Sequence, residues 1–179
     1  MFNRLIRFLA GQGDKQFGVV ARAVVAILGA AVFVVLFPVL VTVSGTLGVL
    51  KTRLLPEIIS VVLMGLCFGF GTPWMVWSVF WQLTQSGGTP VPTMPPRQFL
   101  PTGPYRYTRN PMMLGFWGYL LGWVFLSNRL GALLAALAII GFFWAELKLI
   151  EEKELELRFG DAYRAYKKQT PFLFPRLKK

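Results

Sequence analysis

Four long runs of apolar residues dominate the chain, and short polar segments separate them. The runs at 23–44 and 58–83 contain no charged residue, and each exceeds the roughly 20 residues that a helix needs to cross a hydrocarbon core about 30 Å thick. Those at 111–126 and 130–145 are shorter, and only residues 127–129 separate them, which predicts a helical hairpin. The pattern predicts an all-α, polytopic membrane protein with about four transmembrane helices.

Shorter segments flank these runs. Within residues 2–9 the apolar positions recur at helical spacing around Arg4 and Arg7, which indicates an amphipathic helix in the headgroup region. A frayed basic leader would show the same pattern. Residues 82–101 are rich in proline and glycine, and a loop of this length favours a functional lid over a linker. No cleaved signal peptide is expected, because the first apolar run is too long.

Together these features predict one membrane domain over residues 1–179. Its predicted parts are an interfacial leader at 1–16, spans at 18–44 and 57–83, a loop with a polar strip at 84–109, a span at 110–126, a span with a cytoplasmic extension at 130–159, and a C-terminal cap at 161–179.

Composition agrees with a membrane protein. The chain is 55% hydrophobic, with a mean hydropathy of +0.55, whereas soluble domains have about 45 to 50% apolar residues. A net charge of +11 in a soluble protein would suggest nucleic acid as a partner, but here the cations flank apolar runs, so none is expected. With one cysteine and no histidine, no metal site is expected either.

The cations predict an orientation. Of the 19 Lys and Arg residues, only Lys51, Arg53 and Arg129 fall in the loops that lie outside when the N-terminus is cytoplasmic. The other 16 then lie inside, which matches the preference of cytoplasmic segments for positive charge. Both termini are therefore expected on the cytoplasmic side.

Two polar segments meet if the hairpin folds about Asn128. One is the basic, aromatic strip at 103–111, and the other is the pair Glu151 and Glu152, which lies beyond the fourth run. The two glutamates share a helix face with Leu155 and Phe159, at spacings of three, four, seven and eight residues. This strip and this acidic pair are therefore predicted to form a site at the cytoplasmic surface.

Each element of the proposed site also has a purely structural interpretation. Asn110 and Pro111 suit a helix start as N-cap and first helical residue. Arg106 and Arg109 could be interfacial anchors, and the glutamates could lie on a solvated face. Gly160 is expected to end the long helix, with a shorter helix following that starts at Asp161; its tyrosines may only hold the tail in place.

The absence of several known motifs reduces the number of possible functions. The sequence has no phosphate-binding Gly-Lys-Ser/Thr loop and no dinucleotide-binding GxGxxG, and no ionisable residue lies in the middle of a span, where transporters usually have one. These absences favour an interfacial site that takes one partner from water and another from lipid.

The strip GPYRYTRNPMMLG at 103–115, followed by EEKEL at 151–155 and FGDAYRAY at 159–166, resembles the isoprenylcysteine carboxyl methyltransferase family, with phospholipid methyltransferases as relatives. The resemblance covers about residues 100–176. It implies an integral membrane methyltransferase with S-adenosyl-L-methionine as cofactor, bound at the cytoplasmic interface, and a lipophilic or small-molecule acceptor that enters from the bilayer.

The resemblance also implies roles for individual residues. The residues on the cofactor side would be Tyr105, Arg106, Tyr107, Arg109, Asn110, Pro111, Leu114 and Gly115, covered by Tyr163 and Tyr166. Glu151 and Glu152 would orient cofactor or acceptor. Lys148 joins them as a catalytic candidate, because it is the cation nearest to the place where isoprenylcysteine enzymes have an arginine for the substrate carboxylate.

Two departures from the family pattern matter. Asn110 stands where relatives often have histidine, which excludes proton transfer at that position, and the missing arginine near Lys148 weakens the prenylcysteine assignment. The acceptor therefore stays open among prenylcysteine, a phospholipid amine, and a small thiol or phenol. Two other functions remain as alternatives: an NADPH-dependent reductase on the related sterol-reductase scaffold, and a lipid-binding protein without enzymatic activity.

Overall fold

The computed structural model describes residues 2–12, 18–86, 89 and 99–175. The α-helices are α1 (Phe2–Gln12), α2 (Val19–Ala31), α3 (Phe37–Ser44), α4 (Glu57–Gln85), α5 (Pro111–Ser127), α6 (Leu130–Glu146) and α7 (Glu152–Gln169). The segments Val32–Leu36 and Leu147–Glu151 are π-helical, and Gly48–Lys51 and Gly103–Arg106 are 3₁₀-helical. Extended pairing in the described ranges is limited to one antiparallel bridge between Arg53 and Arg129. The predicted lid falls mostly on residues 87–88 and 90–98, outside the described residues.

Three continuous helices are long and apolar enough to cross a bilayer, namely Val19–Ser44, Glu57–Gln85 and Leu130–Gln169. The all-α membrane fold is therefore confirmed. Helix α5 is apolar and has 17 residues, so at 1.5 Å per residue it is about 25 Å long, and a count of four spans stays a prediction. Up to the kink at Gly160, the 30 residues 130–159 of Leu130–Gln169 reach about 45 Å, so the polar helix α7 continues beyond the hydrocarbon core.

Residues 30–76 and 112–143 form one compact unit. Its core includes Phe116, Leu120 and Val124, one face of α5, all with no exposed surface. Close contact between α4 and α5 depends on glycine, because a Cβ at Gly71 would overlap the backbone of α5 and one at Gly115 the backbone of Met75. Small residues allow membrane helices to approach in this way.

The proline inside the first span explains a local feature of this unit. Pro38 has no N–H, and its ring would clash with the carbonyl four residues earlier, which belongs to Val34. The π-helical segment lies at this place, and the Val34 carbonyl accepts a hydrogen bond from the Tyr119 hydroxyl of α5 at 3.0 Å. A neighbouring helix thus satisfies the carbonyl that the proline frees, as membrane helices require.

Residues 1–29, 77–111 and 144–179 form the second unit. Here α1 packs against α7, with Ile6 buried, while Arg4, Arg7 and Phe8 are exposed. The Arg22 guanidinium donates to the Leu83 carbonyl at 3.1 Å, which joins α2 to the end of α4. This unit contains the basic strip and the paired glutamates.

Candidate functional site

The strip begins at a turn that only glycine fits well. Gly103 has φ +58°, a conformation that residues with a Cβ rarely adopt, and a Cβ there would overlap the indole ring of Trp81. The turn starts the 3₁₀ segment that presents Tyr105, whose hydroxyl donates to the Gln82 side-chain oxygen at 2.7 Å. The strip is therefore fixed against the end of α4.

Residues Thr108 to Asn110 are tied to the C-terminal tail by three hydrogen bonds. The Arg109 N–H donates to the Pro171 carbonyl at 2.9 Å, and the Phe172 carbonyl accepts from the Thr108 hydroxyl at 3.1 Å and from the Asn110 side-chain amide at 2.9 Å. Pro111 is buried and is the first residue of α5, in agreement with its predicted place at a helix start. The Asn110 side chain thus joins the strip to the C-terminal tail, and the amide group that donates this hydrogen bond does not titrate.

Tyrosines hold the tail helix on the strip. The Tyr166 hydroxyl donates to the Tyr105 carbonyl at 2.6 Å, and Tyr163 is buried. The Phe99 ring lies 5.0 Å from that of Tyr166 and 5.8 Å from that of Tyr163. Desolvation by burial raises the pKa of all three tyrosines, Tyr105, Tyr163 and Tyr166, so each stays a neutral hydrogen-bonding group.

A buried ion pair joins the strip to α7. The Arg109 guanidinium contacts the Glu152 carboxylate, and both side chains are more than nine-tenths buried, at 8% and 7% exposure. Lys148 and Lys167 reach the other carboxylate oxygen of Glu152 at 3.6 and 3.1 Å. The Lys148 ammonium also lies 3.7 Å from the centre of the Phe172 ring. Three cations thus surround one carboxylate, as a charge at this depth requires.

Glu151, the neighbour of Glu152, has a different environment. It is half-buried, and desolvation, helped by the nearby carboxylates of Glu146, Glu154 and Glu152, raises its pKa to about 8. Among the described residues no cation forms an ion pair with it, whereas Glu154 pairs with Arg158 at 2.8 Å. A carboxyl group with this pKa can gain or lose a proton near neutral pH, which is the property that a general acid or base needs.

The remaining candidates lie elsewhere. Arg106 is exposed, with its guanidinium 4.9 Å from the centre of the Tyr107 ring, which is itself 40% exposed. Leu114 is buried and belongs to the other unit, together with Gly115, whose small size serves helix packing. The structure brings Arg109, Glu152 and Lys148 into direct contact and leaves Arg106 and Tyr107 at the surface.

Comparison with known families shows to which family the chain belongs. The model of the family described as "Phospholipid methyltransferase" matches residues 59–162, more than half of the chain. The chain belongs to this family. The resemblance to membrane methyltransferases is thus confirmed, and the matched region includes the strip, the hairpin and both glutamates.

Two curated relatives share part of this region. Methanethiol S-methyltransferase 2 of Bradyrhizobium diazoefficiens is 38% identical over 73 residues, which is 41% of this chain and 27% of the relative. Methanethiol S-methyltransferase of Mycobacterium tuberculosis is 35% identical over 71 residues, 40% of this chain and 28% of the relative. The alignments thus span little more than a quarter of these relatives. No solved structure matches the chain.

Several residues of this phospholipid methyltransferase family member were missed by the sequence reasoning, namely Gln82, Phe99, Lys167 and Phe172. Thr108 was included in the predicted strip, but no role was given to it. Lys167 is instructive, since it pairs with Glu156 at 2.8 Å although a straight helix would separate the two by about 16 Å along its axis. The kink at Gly160, with φ +51°, makes the contact possible. The sequence predicted the break at Gly160 but contained no signal for the partner of Lys167.

Proposed function

We propose that the chain is an integral membrane methyltransferase that uses S-adenosyl-L-methionine, with its site at the cytoplasmic interface. The observation that supports this most is the convergence, within the region matched by the family, of Arg109 and Glu152 beside a glutamate with a pKa near 8. The alternative of an NADPH-dependent reductase is not favoured, because the matched family and both relatives are named as methyltransferases.

The chemistry of the site fits such a donor. Arg109 Nε is buried and has no hydrogen-bond partner among the described residues, so it can bind a carboxylate such as the one on the methionyl group. Glu151 forms no ion pair with a cation in the same range, so its carboxyl group is available for proton transfer. Arg109 would hold the carboxylate of the donor, and Tyr105 and Tyr166 would stay neutral beside it.

Glu151 and Glu152 have different roles in the proposed methyl transfer. The donor supplies an activated methyl group, so the protein mainly aligns donor and acceptor and excludes water. Glu152 is a positioning residue: it fixes the Arg109 guanidinium and is itself held by Lys148 and Lys167. Glu151 accepts on a carboxylate oxygen the proton that the acceptor loses.

This assignment favours an acceptor that has a proton to lose, which is a thiol, a phenol or an amine. A carboxylate acceptor, as in a prenylcysteine, needs no base, and its natural partner Lys148 is already engaged by Glu152 and the Phe172 ring. The two relatives are named for a thiol acceptor, which supports the thiol. An acceptor from the bilayer would reach the site through the lipid phase.

Calorimetric titration with S-adenosylhomocysteine in detergent tests the donor. We expect binding by the intact protein, at least tenfold weaker in Arg109→Lys, because a single ammonium cannot replace two parallel guanidinium hydrogen bonds. Asp161→Asn, which removes an exposed charge of α7, is the control and should bind normally. If the intact protein shows no binding, the proposal fails.

Mass spectrometry with an isotopically labelled methyl donor identifies the acceptor. The protein is incubated with methanethiol in one arm and with a phospholipid extract in the other. A labelled thioether supports the thiol and a labelled lipid amine supports the amine. Label found only on a carboxylate would contradict the role of Glu151 as a base.

A further inference from the structure

A second site lies in the unit formed by residues 30–76 and 112–143, where α5 turns into α6. It is a cavity of about 330 Å³, at the lower end of the range of small-ligand pockets. Its polar lining comes from the loop before α4, from Glu57 and Ser60 in the first turn of α4 and from the hairpin turn, and its apolar lining comes from α4 and the end of α5. The lining includes Arg53, Ser127 and Arg129 on the polar side and Val61, Met64 and Phe125 on the apolar side.

The polar wall is held rigidly by backbone pairing. Leu54 N–H donates to the Asn128 carbonyl at 3.3 Å, and Leu130 N–H donates to the Thr52 carbonyl at 2.9 Å. The Asn128 side chain, on a residue with φ +50°, exchanges two further bonds with the backbone of Leu55 at 2.9 and 3.1 Å. The loop and the turn therefore form one small pre-organised platform.

This pairing sets two arginines opposite each other. Arg53 and Arg129 are the partners of the antiparallel bridge, and the hydrogen bonds come from the residues on either side of them. In such a non-hydrogen-bonded pair the Cβ atoms are about 5 Å apart and leave the bridge on the same face. Like charges in this position repel each other, so the arrangement is unfavourable unless an anion lies between them.

The protein supplies little compensation for this repulsion. Glu57 approaches Arg53 at 4.0 Å, but both side chains are mostly exposed, at 83% and 68%, and such pairs contribute little. One arm of the Arg129 guanidinium donates to the Lys51 backbone carbonyl, which fixes its direction. The other guanidinium donors of the two arginines make no hydrogen bond within the described ranges, so they are available to an external anion.

We propose that this cavity binds an anionic phospholipid, with the phosphate between Arg53 and Arg129 and part of an acyl chain against Met64 and Phe125. The apolar half argues for a lipid, since free phosphate would leave that surface in contact with water. Interfacial arginine pairs suit phosphate because each guanidinium can donate two parallel hydrogen bonds. On the orientation that the cations predict, the lipid comes from the leaflet that faces away from the cytoplasm.

Native mass spectrometry and thermal unfolding in detergent test the proposal. The probes are dioctanoyl phosphatidylglycerol, dioctanoyl phosphatidylcholine and inorganic phosphate. Phosphatidylglycerol is expected to form a retained adduct and to raise the unfolding temperature, while phosphatidylcholine, which has no net charge, binds at least tenfold more weakly. An equal response to inorganic phosphate alone would overturn the lipid part of the proposal.

Two variants make the test specific. Arg53→Gln removes one arginine that has only a weak partner, and phosphatidylglycerol should bind about tenfold more weakly to it. Val61→Trp fills the apolar half and should weaken lipid binding while both arginines remain. The control Arg4→Gln removes an exposed arginine of α1 and should change nothing. Unchanged lipid binding in both test variants would refute the site.

Discussion

At the scale of single residues, two adjacent glutamates with the same side chain have opposite environments. Glu152 is surrounded by three cations and has a structural role, while burial, helped by nearby carboxylates, raises the pKa of Glu151 to about 8. The sequence shows both as one acidic pair, and only their surroundings separate a positioning residue from a base.

Glu151→Gln should lower methyl transfer by about 10²- to 10⁴-fold, the range for loss of a general base. In the intact protein the rate should rise with pH up to about 8, because the carboxylate must lose its proton before it can accept another. The pH profile of kcat/KM for the donor, which reports the pKa of the protein before the donor binds, measures this. A variant that keeps the rise near pH 8 would show that another group is the base.

The same pKa predicts a change in stability. The folded protein binds the Glu151 proton more tightly than the unfolded chain, in which the pKa is near its usual 4.5. The stabilisation that comes from this proton is complete below pH 4.5 and is lost as pH rises towards 8. Unfolding temperatures measured at pH 5, 6, 7 and 8 should therefore fall less steeply with rising pH in Glu151→Gln than in the intact protein. Parallel curves for the two proteins would contradict a raised pKa.

Glu152→Gln should cost about 3–5 kcal/mol of unfolding free energy, since it leaves the buried Arg109 guanidinium without a counter-charge. Glu156→Gln is the matched control, because it removes an equal charge that also pairs with Lys167 but is half-exposed, and it should cost less than about 1 kcal/mol. Chemical unfolding in detergent gives both values. Equal losses would mean that the pair with Arg109 contributes no more than a surface contact.

At the scale of elements, glycine and proline decide where helices bend. Gly160 interrupts α7 with φ +51° and ψ −125°, and the part after it folds back so that Lys167 reaches Glu152. Pro38 removes a backbone hydrogen bond from the first span. The Tyr119 hydroxyl on α5 donates to the Val34 carbonyl that is left without this bond. The sequence shows the glycine and the proline at which these helices bend, but it does not show which residues come into contact as a result.

Gly160→Ala should destabilise the protein by about 1–3 kcal/mol, the cost of a residue with a Cβ in a sparsely populated backbone region, since no atom crowds the site. Gly141→Ala is the control: it also adds a methyl group in open space, but within the regular helix α6, where alanine is preferred. Unfolding free energies should fall in the first variant and stay equal or rise in the second.

Tyr119→Phe should cost about 1 kcal/mol by leaving the Val34 carbonyl without its hydrogen bond. The loss should shrink when Pro38→Ala is also present, because the helix can then satisfy that carbonyl itself. A double-mutant cycle of unfolding free energies measures the coupling. Additive effects would show that the hydroxyl and the proline act independently.

At the scale of the whole molecule, the orientation links the charge pattern to function. The site can use a cytosolic donor only if the strip and α7 face the cytoplasm. With Cys67 replaced by Ser, single cysteines at Lys51 and Lys168, both exposed, can report sidedness. An impermeant maleimide added to intact cells should label Lys51→Cys and not Lys168→Cys. The reverse result would contradict both the orientation and the proposed function.

The sequence alone determined the membrane fold, the helix boundaries at Asn110–Pro111 and Gly160, and the meeting of the basic strip with the paired glutamates. The membrane fold and the helix boundaries follow from local rules, since apolar run length, proline and glycine act on their own segment whatever surrounds them. The meeting of the strip with the glutamates follows from the short turn at 127–129, which folds the two runs into a hairpin. The tertiary structure decided which glutamate is paired, that Asn110 binds the tail, and that Gly115 serves packing. Burial and pairing depend on residues far apart in the chain, such as Lys167 and Phe172, and no local pattern specifies them.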